Sequence, residues 1–528
     1  MIERGKGKVY DKVIVTNLSA LKKKYGKRLP EVKAAIKRLI DADKKRGIKT
    51  TLVALDSEAA MKKLKGRKVS DPADQKQNKA AIDAVFKSLL PDYLLILGAV
   101  DIVPHQELNN PLYDVDGDLD RSIPGDVAYA CEAPFSKKPQ DFIGPTRAVG
   151  RLPDITGGGD AGYIMGLLET AANWKALPAK DYSSYLGISA DEWKESTGLS
   201  LKKLFGSGDD LKLSPEEGPK WKKVLISRRV HFINCHGGDT DWRFLGQRGD
   251  EYPISHDASY LNKRISEGTV AAMECCYGAQ LYDPAKLQNK QPGICNIYLE
   301  QKAYGYLGST TIAYGPESGN GAADLICQYF LKNVLKGETL GAAALNARQE
   351  FAQSSPELDP YDLKTLAQFN LLGDPSIRPV ATPTPHTTAT LAKALGARSG
   401  PNVAAARSDR RQQTMTNGLL IAEYKPVAQS PASVALSSSV EAKLKKLAQE
   451  SDIGETKILS FGIQPKSKQA TPLARSMMSK MAKKPSASAF HVIVSRKPLD
   501  KAPIPRIVAL VAKEVDGEIV SYRELHSK

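Results

Sequence analysis

Residues 268–284 read GTVAAMECCYGAQLYDP. A short apolar run, Val270 to Met273, leads directly into two adjacent cysteines, Cys275 and Cys276. Such a run bounded by glycine reads as a buried strand. Neighbouring thiols contribute little to packing, so their position at a strand end asks for a chemical reason. A second segment, VHFINCHGG (230–238), has the same form: an apolar strand that stops at His236-Gly237-Gly238. In a parallel sheet neighbouring strands finish on one edge, where α/β proteins build their sites. His236 and Cys276 are 276 − 236 = 40 residues apart, enough for one right-handed crossover with a helix at ASYLNKRISEG.

The thiolate is the nucleophile of a cysteine, and a free thiol ionises only near pH 8.5. A nearby imidazole can take that proton and later return it to a leaving amine. Glycines after the histidine let a backbone approach and aim N–H groups at a developing oxyanion. Three plainer readings compete. A cysteine at a strand end is commonly a small buried hydrophobe. A lone histidine there is commonly a hydrogen-bonded structural residue. Cys235, His236, Cys275 and Cys276 could also ligate zinc, but contiguous pairs lack the two-residue gap of chelating cysteines.

The surrounding chain supports an α/β fold. KVIVT (12–16), IKTTLVALD (48–56) and YLLILG (93–98) read as strands, separated by helical patterns at 30–47 and 78–90. The continuous apolar character of YLLILG suits a parallel strand buried on both faces. The alternation of strand and helix is that of a doubly wound sheet. AVGRLPD reads as a further strand and GYIMGLLETAANWKAL as a helix. Residues 180–220 look irregular. NGAADLICQYFLKNVLKG and TLGAAALNARQEFAQ read as two helices.

At 528 residues the chain is expected to hold more than one domain. The reading divides it into an N-terminal α/β part (1–180), a catalytic part (181–380), a flexible linker (381–415) and a small basic α/β or β-rich domain (416–528). In that last part GLLIAEY, TKILSFGI, FHVIVSR and RIVALVAKEV are strand candidates, with a hairpin at Asp516-Gly517. The net charge is +16, and residues 384–528 carry +12 of it, from 23 Lys/Arg against 11 Asp/Glu. This end would meet an acidic or activating partner if any. No aromatic-rich RNA-binding motif accompanies the charge, so nucleic acid is not an expected partner. With six cysteines the chain is not a disulfide scaffold. It has neither an apolar leader nor an 18-residue apolar run, so no membrane contact and a cytoplasmic location are expected.

An apolar strand ending in His-Gly, followed by one ending in an acid, a small residue and Cys, resembles the clan CD cysteine peptidases. Four flanking segments resemble the gingipain-like branch: YLLILGAVDIVP (93–104), PTRAVGRLPD (145–154), YGYLGSTTIAYGP (304–316) and FNLLGDPSIRP (369–379). The resemblance covers roughly residues 10–380. It implies a caspase-like, doubly wound sheet and a cysteine endopeptidase with a Cys–His dyad. His236 would be the general acid/base, and Gly237 would lend its backbone N–H to the oxyanion hole. Matching Glu274-Cys275-Cys276 to the acid–small–Cys pattern makes Cys276 the nucleophile. Matching the distance to Gly278 instead favours Cys275.

The same resemblance implies a substrate pocket near Ser309, Thr310 and Tyr314, with Tyr314 over the P1 side chain. Asp126, Asp141, Asp239 or Asp241 would form an acidic floor selecting Arg or Lys. No cofactor is required. DVDGDLD (114–120) places Asp114, Asp116 and Asp118 at alternate positions, an oxygen-rich pattern suited to structural calcium, although Leu119 stands where an EF-hand needs glycine. The rival reading is a catalytically silent or partner-activated scaffold on the same fold. Both readings take protein or peptide as the partner.

Overall fold

The computed structural model describes residues 10–114, 117–381, 403–429, 436–451, 453, 457–465, 488–497, 504 and 506–528. Its strands, in chain order, are β1 (Lys12–Thr16), β2 (Thr50–Ala54), β3 (Tyr93–Leu97), β4 (Gln106–Asn109), β5 (Ser122–Gly125), β6 (Ala148–Leu152) and β7 (Tyr185–Ala190). They continue with β8 (Lys212–Ser214), β9 (Val230–Asn234), β10 (His236–Gly237), β11 (Arg243–Leu245), β12 (Ile254–Asp257), β13 (Val270–Met273) and β14 (Gly305–Ser309). The last are β15 (Tyr314–Gly315), β16 (Phe369–Gly373), β17 (Pro426–Ala428), β18 (Ile458–Pro465), β19 (Ser488–Lys497), β20 (Arg506–Val515) and β21 (Glu518–Ser527).

Ten strands form one sheet in the order β2-β1-β3-β6-β16-β14-β13-β9-β7-β8. Every neighbouring pair is parallel except β14 with β16, which run antiparallel. The sheet therefore consists of two parallel halves facing opposite ways, and β16 carries residues 369–373 into the first half. The strands near the site, β9, β13 and β14, are buried along their whole length, as continuous apolar sequence requires. Around the sheet, helix Leu29–Lys45 packs on Ala161–Asn173, and Ala322–Leu335 on Leu340–Gln353.

A second, six-stranded sheet has the order β15-β21-β20-β19-β18-β17 and is antiparallel throughout. Its hairpin turns at Asp516-Gly517, both with positive φ (51° and 84°), the geometry that joins β20 to β21 tightly. Five of its strands come from the C-terminal part of the chain. The sixth, β15, belongs to the segment that follows β14. The C-terminal sheet is thus joined, strand to strand, to the part of the molecule that holds His236 and Cys276.

Several local expectations differ from the structure. Helix Val403–Tyr424 includes both the end of the expected linker and GLLIAEY, expected as a strand. Gly418 fits only because it lacks a Cβ, which would strike the Pro145 carbonyl, and Ile421 is buried there. Tertiary docking decides this short apolar run, whose periodicity is ambiguous. The rest of the expected linker, 382–402, lies outside the described residues. The expected irregular region contains β7 and helix Lys194–Phe205. That helix buries Ser196, Thr197 and Ser200, so its inward face reads as polar in sequence. ASYLNKRISEG forms a single turn, Ala258–Tyr260, and the antiparallel strands β10–β12 occupy most of the crossover between β9 and β13. Among the described residues, no helix is long and apolar enough to cross a membrane.

Candidate functional site

β9 and β13 are hydrogen-bonded neighbours in register, Met273 opposite Ile233, so the residues beyond them emerge together. Gly237 and Cys276 lie so close that a Cβ at 237 would collide with the Cys276 carbonyl oxygen. Glycine at 237 is a packing requirement. Immediately after Cys276 the chain turns through Tyr277 at φ 54°, a left-handed conformation unusual for a bulky residue. Tyr277 is held there by its N–H to Thr311 O (3.0 Å) and its hydroxyl to Asp120 Oδ1 (2.8 Å).

The two cysteines have opposite surroundings. Cys275 is fully buried against Ile233 O (3.7 Å) and belongs to the core, and burial raises its pKa well above that of a free thiol. Cys276 Sγ receives the Ala313 N–H at 3.2 Å and lies 3.5 Å from Ala313 O. Burial pushes its thiol up to about 12.

His236 packs edge-on to Trp193 (centroids 4.5 Å) and beside Tyr252 (5.4 Å). Its Nε2 is 2.7 Å from Gln247 Oε1, while Gln247 Nε2 donates to Gly249 O at 3.1 Å. The glutamine is thereby oriented to accept, so Nε2 carries the proton and Nδ1 the lone pair. Burial lowers the ring to about 4, leaving it neutral. The Cys276 sulfur forms no hydrogen bond to the ring among the described residues. A third group bonds the backbone of both segments.

That group is Lys528. Its carbonyl oxygen accepts from the N–H of Cys276 (3.2 Å) and lies 3.5 Å from the amide nitrogen of Gly237. Its own N–H donates to Ala313 O (2.9 Å). The preceding residues extend antiparallel along β15, Ser527 opposite Tyr314 and His526 opposite Gly315. A peptide strand therefore lies across the end of the sheet, with the carbonyl of one residue held at the thiol. The Lys528 side chain is fully buried. Its ammonium lies 3.6 Å from Asp324 Oδ1, 3.4 Å from Pro316 O and 4.4 Å from the Trp193 ring centre. Gly315 forms one wall, where a Cβ would collide with Lys528 Cε.

Asp324 sits in the first turn of helix Ala322–Leu335, and Asn234 Nδ2 donates to its Oδ1 at 3.4 Å. Glu274 lies in the same electrostatic neighbourhood. Burial first, and Asp324 second, raise its carboxyl well above the usual range, so it holds a proton. The result is one buried cation set against one buried carboxylate.

The other expected pocket residues sit elsewhere. Asp126 is paired with Arg151 (2.6 Å) and accepts nothing from the groove. Asp141 bonds Ser136 (2.6 Å). Asp239 is exposed and accepts from Gln280 (2.7 Å), and Asp241 pairs with Arg243 (2.9 Å). Ser309 and Thr310 bond the backbone, Ser309 to Thr311 O and Thr310 to Pro124 O. Tyr314 contributes backbone to the groove, but its ring turns to Asp118 (3.0 Å) and Tyr361 instead of covering a P1 side chain. Trp193, Gly315 and Asp324 surround the Lys528 side chain and Gln247 meets His236, and none of the four was singled out from the sequence.

Nor does the described part of the acidic loop fit a divalent cation. Asp118 is buried against the Lys364 ammonium, which also reaches Asp120 (3.1 Å), and Asp114 lies 3.9 Å from Lys457. Asp116 lies outside the described residues. Among those described, no three acid, His or Cys side chains are grouped to hold a metal ion.

Residues 229–380 match the family described as Peptidase family C25. No curated protein matches the chain. One solved structure, described as "Structure of Protease", is similar at 13% identity, covering 98% of this chain and 96% of that chain with a TM-score of 0.47.

Proposed function

We propose that the protein, whose residues 229–380 match peptidase family C25, is a cysteine endopeptidase that cleaves on the carboxyl side of lysine. The observation that carries this reading is Lys528, whose carbonyl lies against the Cys276 and Gly237 amides while its ammonium faces Asp324. A substrate strand would pair with β15 as Ser527 does, its P1 N–H donating to Ala313 O. Its P1 carbonyl carbon would then meet Cys276.

Cys276 Sγ attacks that carbon, and the oxygen's new charge falls on the two N–H groups. The sulfur–carbon bond forms as the peptide C–N bond breaks. His236 Nδ1 accepts the thiol proton and delivers it to the departing amine. Water then adds to the thioester, with His236 as base, and releases the lysine carboxylate and the thiol. An acid/base that faces the scissile bond serves both transfers without hydrogen-bonding the sulfur in the resting state. Gln247 keeps the required tautomer.

Selection follows from charge and length. A buried carboxylate left without its cation is costly, so the pocket favours a cationic side chain over an isosteric neutral one. The test is hydrolysis of matched peptide amides with P1 lysine, arginine or norleucine. The reading requires lysine to exceed norleucine by at least about 100-fold in kcat/KM. Equal rates on all three would remove the assigned specificity, and no turnover of any by protein whose Cys276 is open to alkylation would favour the scaffold reading.

A further inference from the structure

The groove that would take a substrate is filled by the chain itself, and the way it is filled points to a built-in inhibitor. The geometry points to β21 acting as an internal substrate-like strand that keeps the cleft closed until Ser527 and Lys528 lift away. This inference rests on the peptidase reading for its catalytic consequence, though not for the occlusion itself.

Three features carry it. First, Lys528 makes every contact asked of a P1 residue: carbonyl to the Cys276 and Gly237 amides, N–H to Ala313 O, ammonium into the Asp324 pocket. No second polypeptide can use those groups while it is there. Second, Cys276 is only 4% exposed and Trp193 only 2%, so the occupant seals the thiol from solvent. The buried thiol and neutral imidazole belong to this covered state, because burial disfavours both charged forms.

Third, the strand is held in place independently of its tip. β21 pairs with β20 from Val515–Glu518 to Val508–His526. Arg523 bridges the buried Asp359 and Asp362, and Glu317 meets both Arg506 (2.7 Å) and His526 (3.3 Å). The hairpin thus stays anchored through β20 and His526, while Ser527, opposite Tyr314, and Lys528, bonded to the backbone of Ala313 and Cys276, form the segment that leaves the cleft. Such tethering gives the tip an effective concentration in the millimolar range for a short link, enough to outcompete dilute substrate.

The test uses the full chain and two variants at the tip, Lys528→Ala and Lys528→Glu. The first readout is alkylation of Cys276 by iodoacetamide under native conditions, followed by peptide mass spectrometry. The second is hydrolysis of a P1-lysine peptide amide. Occlusion predicts at least a tenfold faster alkylation of Cys276 in both variants, with hydrolysis rising in parallel. Faster alkylation without hydrolysis would keep the occlusion and discard the peptidase reading. Equal alkylation and equal hydrolysis in wild type and variants would overturn the occlusion and leave the peptidase reading standing. Amide hydrogen exchange at Cys276 and Gly237, whose N–H groups face the Lys528 carbonyl, is faster in the variants only if the tip is displaced, which separates strand release from any general loosening.

Discussion

The carbonyl oxygen of Lys528 lies 3.2 Å from the amide nitrogen of Cys276, although Cys276 follows β13 of one sheet and Lys528 follows β21 of the other, far along the chain. That contact selects one of two adjacent thiols, because Cys275 turns into the core behind it.

Cys276→Ala is expected to abolish peptide hydrolysis, by at least about 1,000-fold, as loss of a nucleophile does elsewhere. Cys275→Ala should retain most activity and lose about 1 kcal/mol of stability, the value of a small buried apolar group. Paired kinetics and urea titrations of the two variants read this directly. Loss of activity in Cys275→Ala with retention in Cys276→Ala would reverse the assignment.

Asp324→Asn keeps the shape of the pocket and removes its charge. A P1-lysine peptide should lose about 100-fold in kcat/KM, because its ammonium is then buried without a counter-charge. The norleucine peptide should change little. Gly315→Ala is expected to weaken lysine substrates too, by filling the space of the P1 side chain. The pair of profiles distinguishes lost charge from lost room.

His236→Ala should stop turnover while leaving Cys276 open to alkylation in the Lys528→Ala background. Gln247→Ala should lower kcat about tenfold with little change in KM, since its bond to Nε2 sets the tautomer and touches no substrate. Recovery by Gln247→Glu, with a shifted pH profile, would identify an orienting role.

Burial lowers His105, His231 and His236 to about 4 and His256 to about 3, all below the ordinary histidine value of 6.5. The unfolded chain therefore binds more protons than the folded one between these values. Stability is fully present above about pH 6.5 and falls as the pH drops toward 4. Down to pH 4 each ring contributes on the order of 3 kcal/mol at most. Denaturation midpoints measured from pH 7.5 to 4 should decline steeply. Replacing His256, whose Nε2 meets the Tyr298 hydroxyl, by Asn should flatten that decline.

How much of this was legible in the sequence depends on the range of the interactions. β9 and β13 announce themselves by continuous apolar runs that stop at His-Gly and Cys-Cys, and the family resemblance rests on those same local segments. The pocket around the Lys528 side chain is different. Trp193 lies where a helix buries serine and threonine, so the periodic signal vanishes. Asp324 reads as an ordinary first-turn acid of a helix, and it does cap that turn. Tyr314 sits in the expected segment, but its ring follows Asp118, from a distant loop, and Tyr361, from helix Pro360–Gln368. Lys528 carries no sequence signal at all, since nothing local indicates that β21 will pair with β15.

The most direct measurement is site-resolved labelling by an irreversible acyloxymethyl ketone peptide carrying lysine at P1, applied to the Lys528→Ala protein beside its norleucine analogue. The account predicts a single adduct on Cys276, formed at least about 100 times faster by the lysine probe and lost in Asp324→Asn. An adduct on any other cysteine, or equal rates for the two probes, would contradict it.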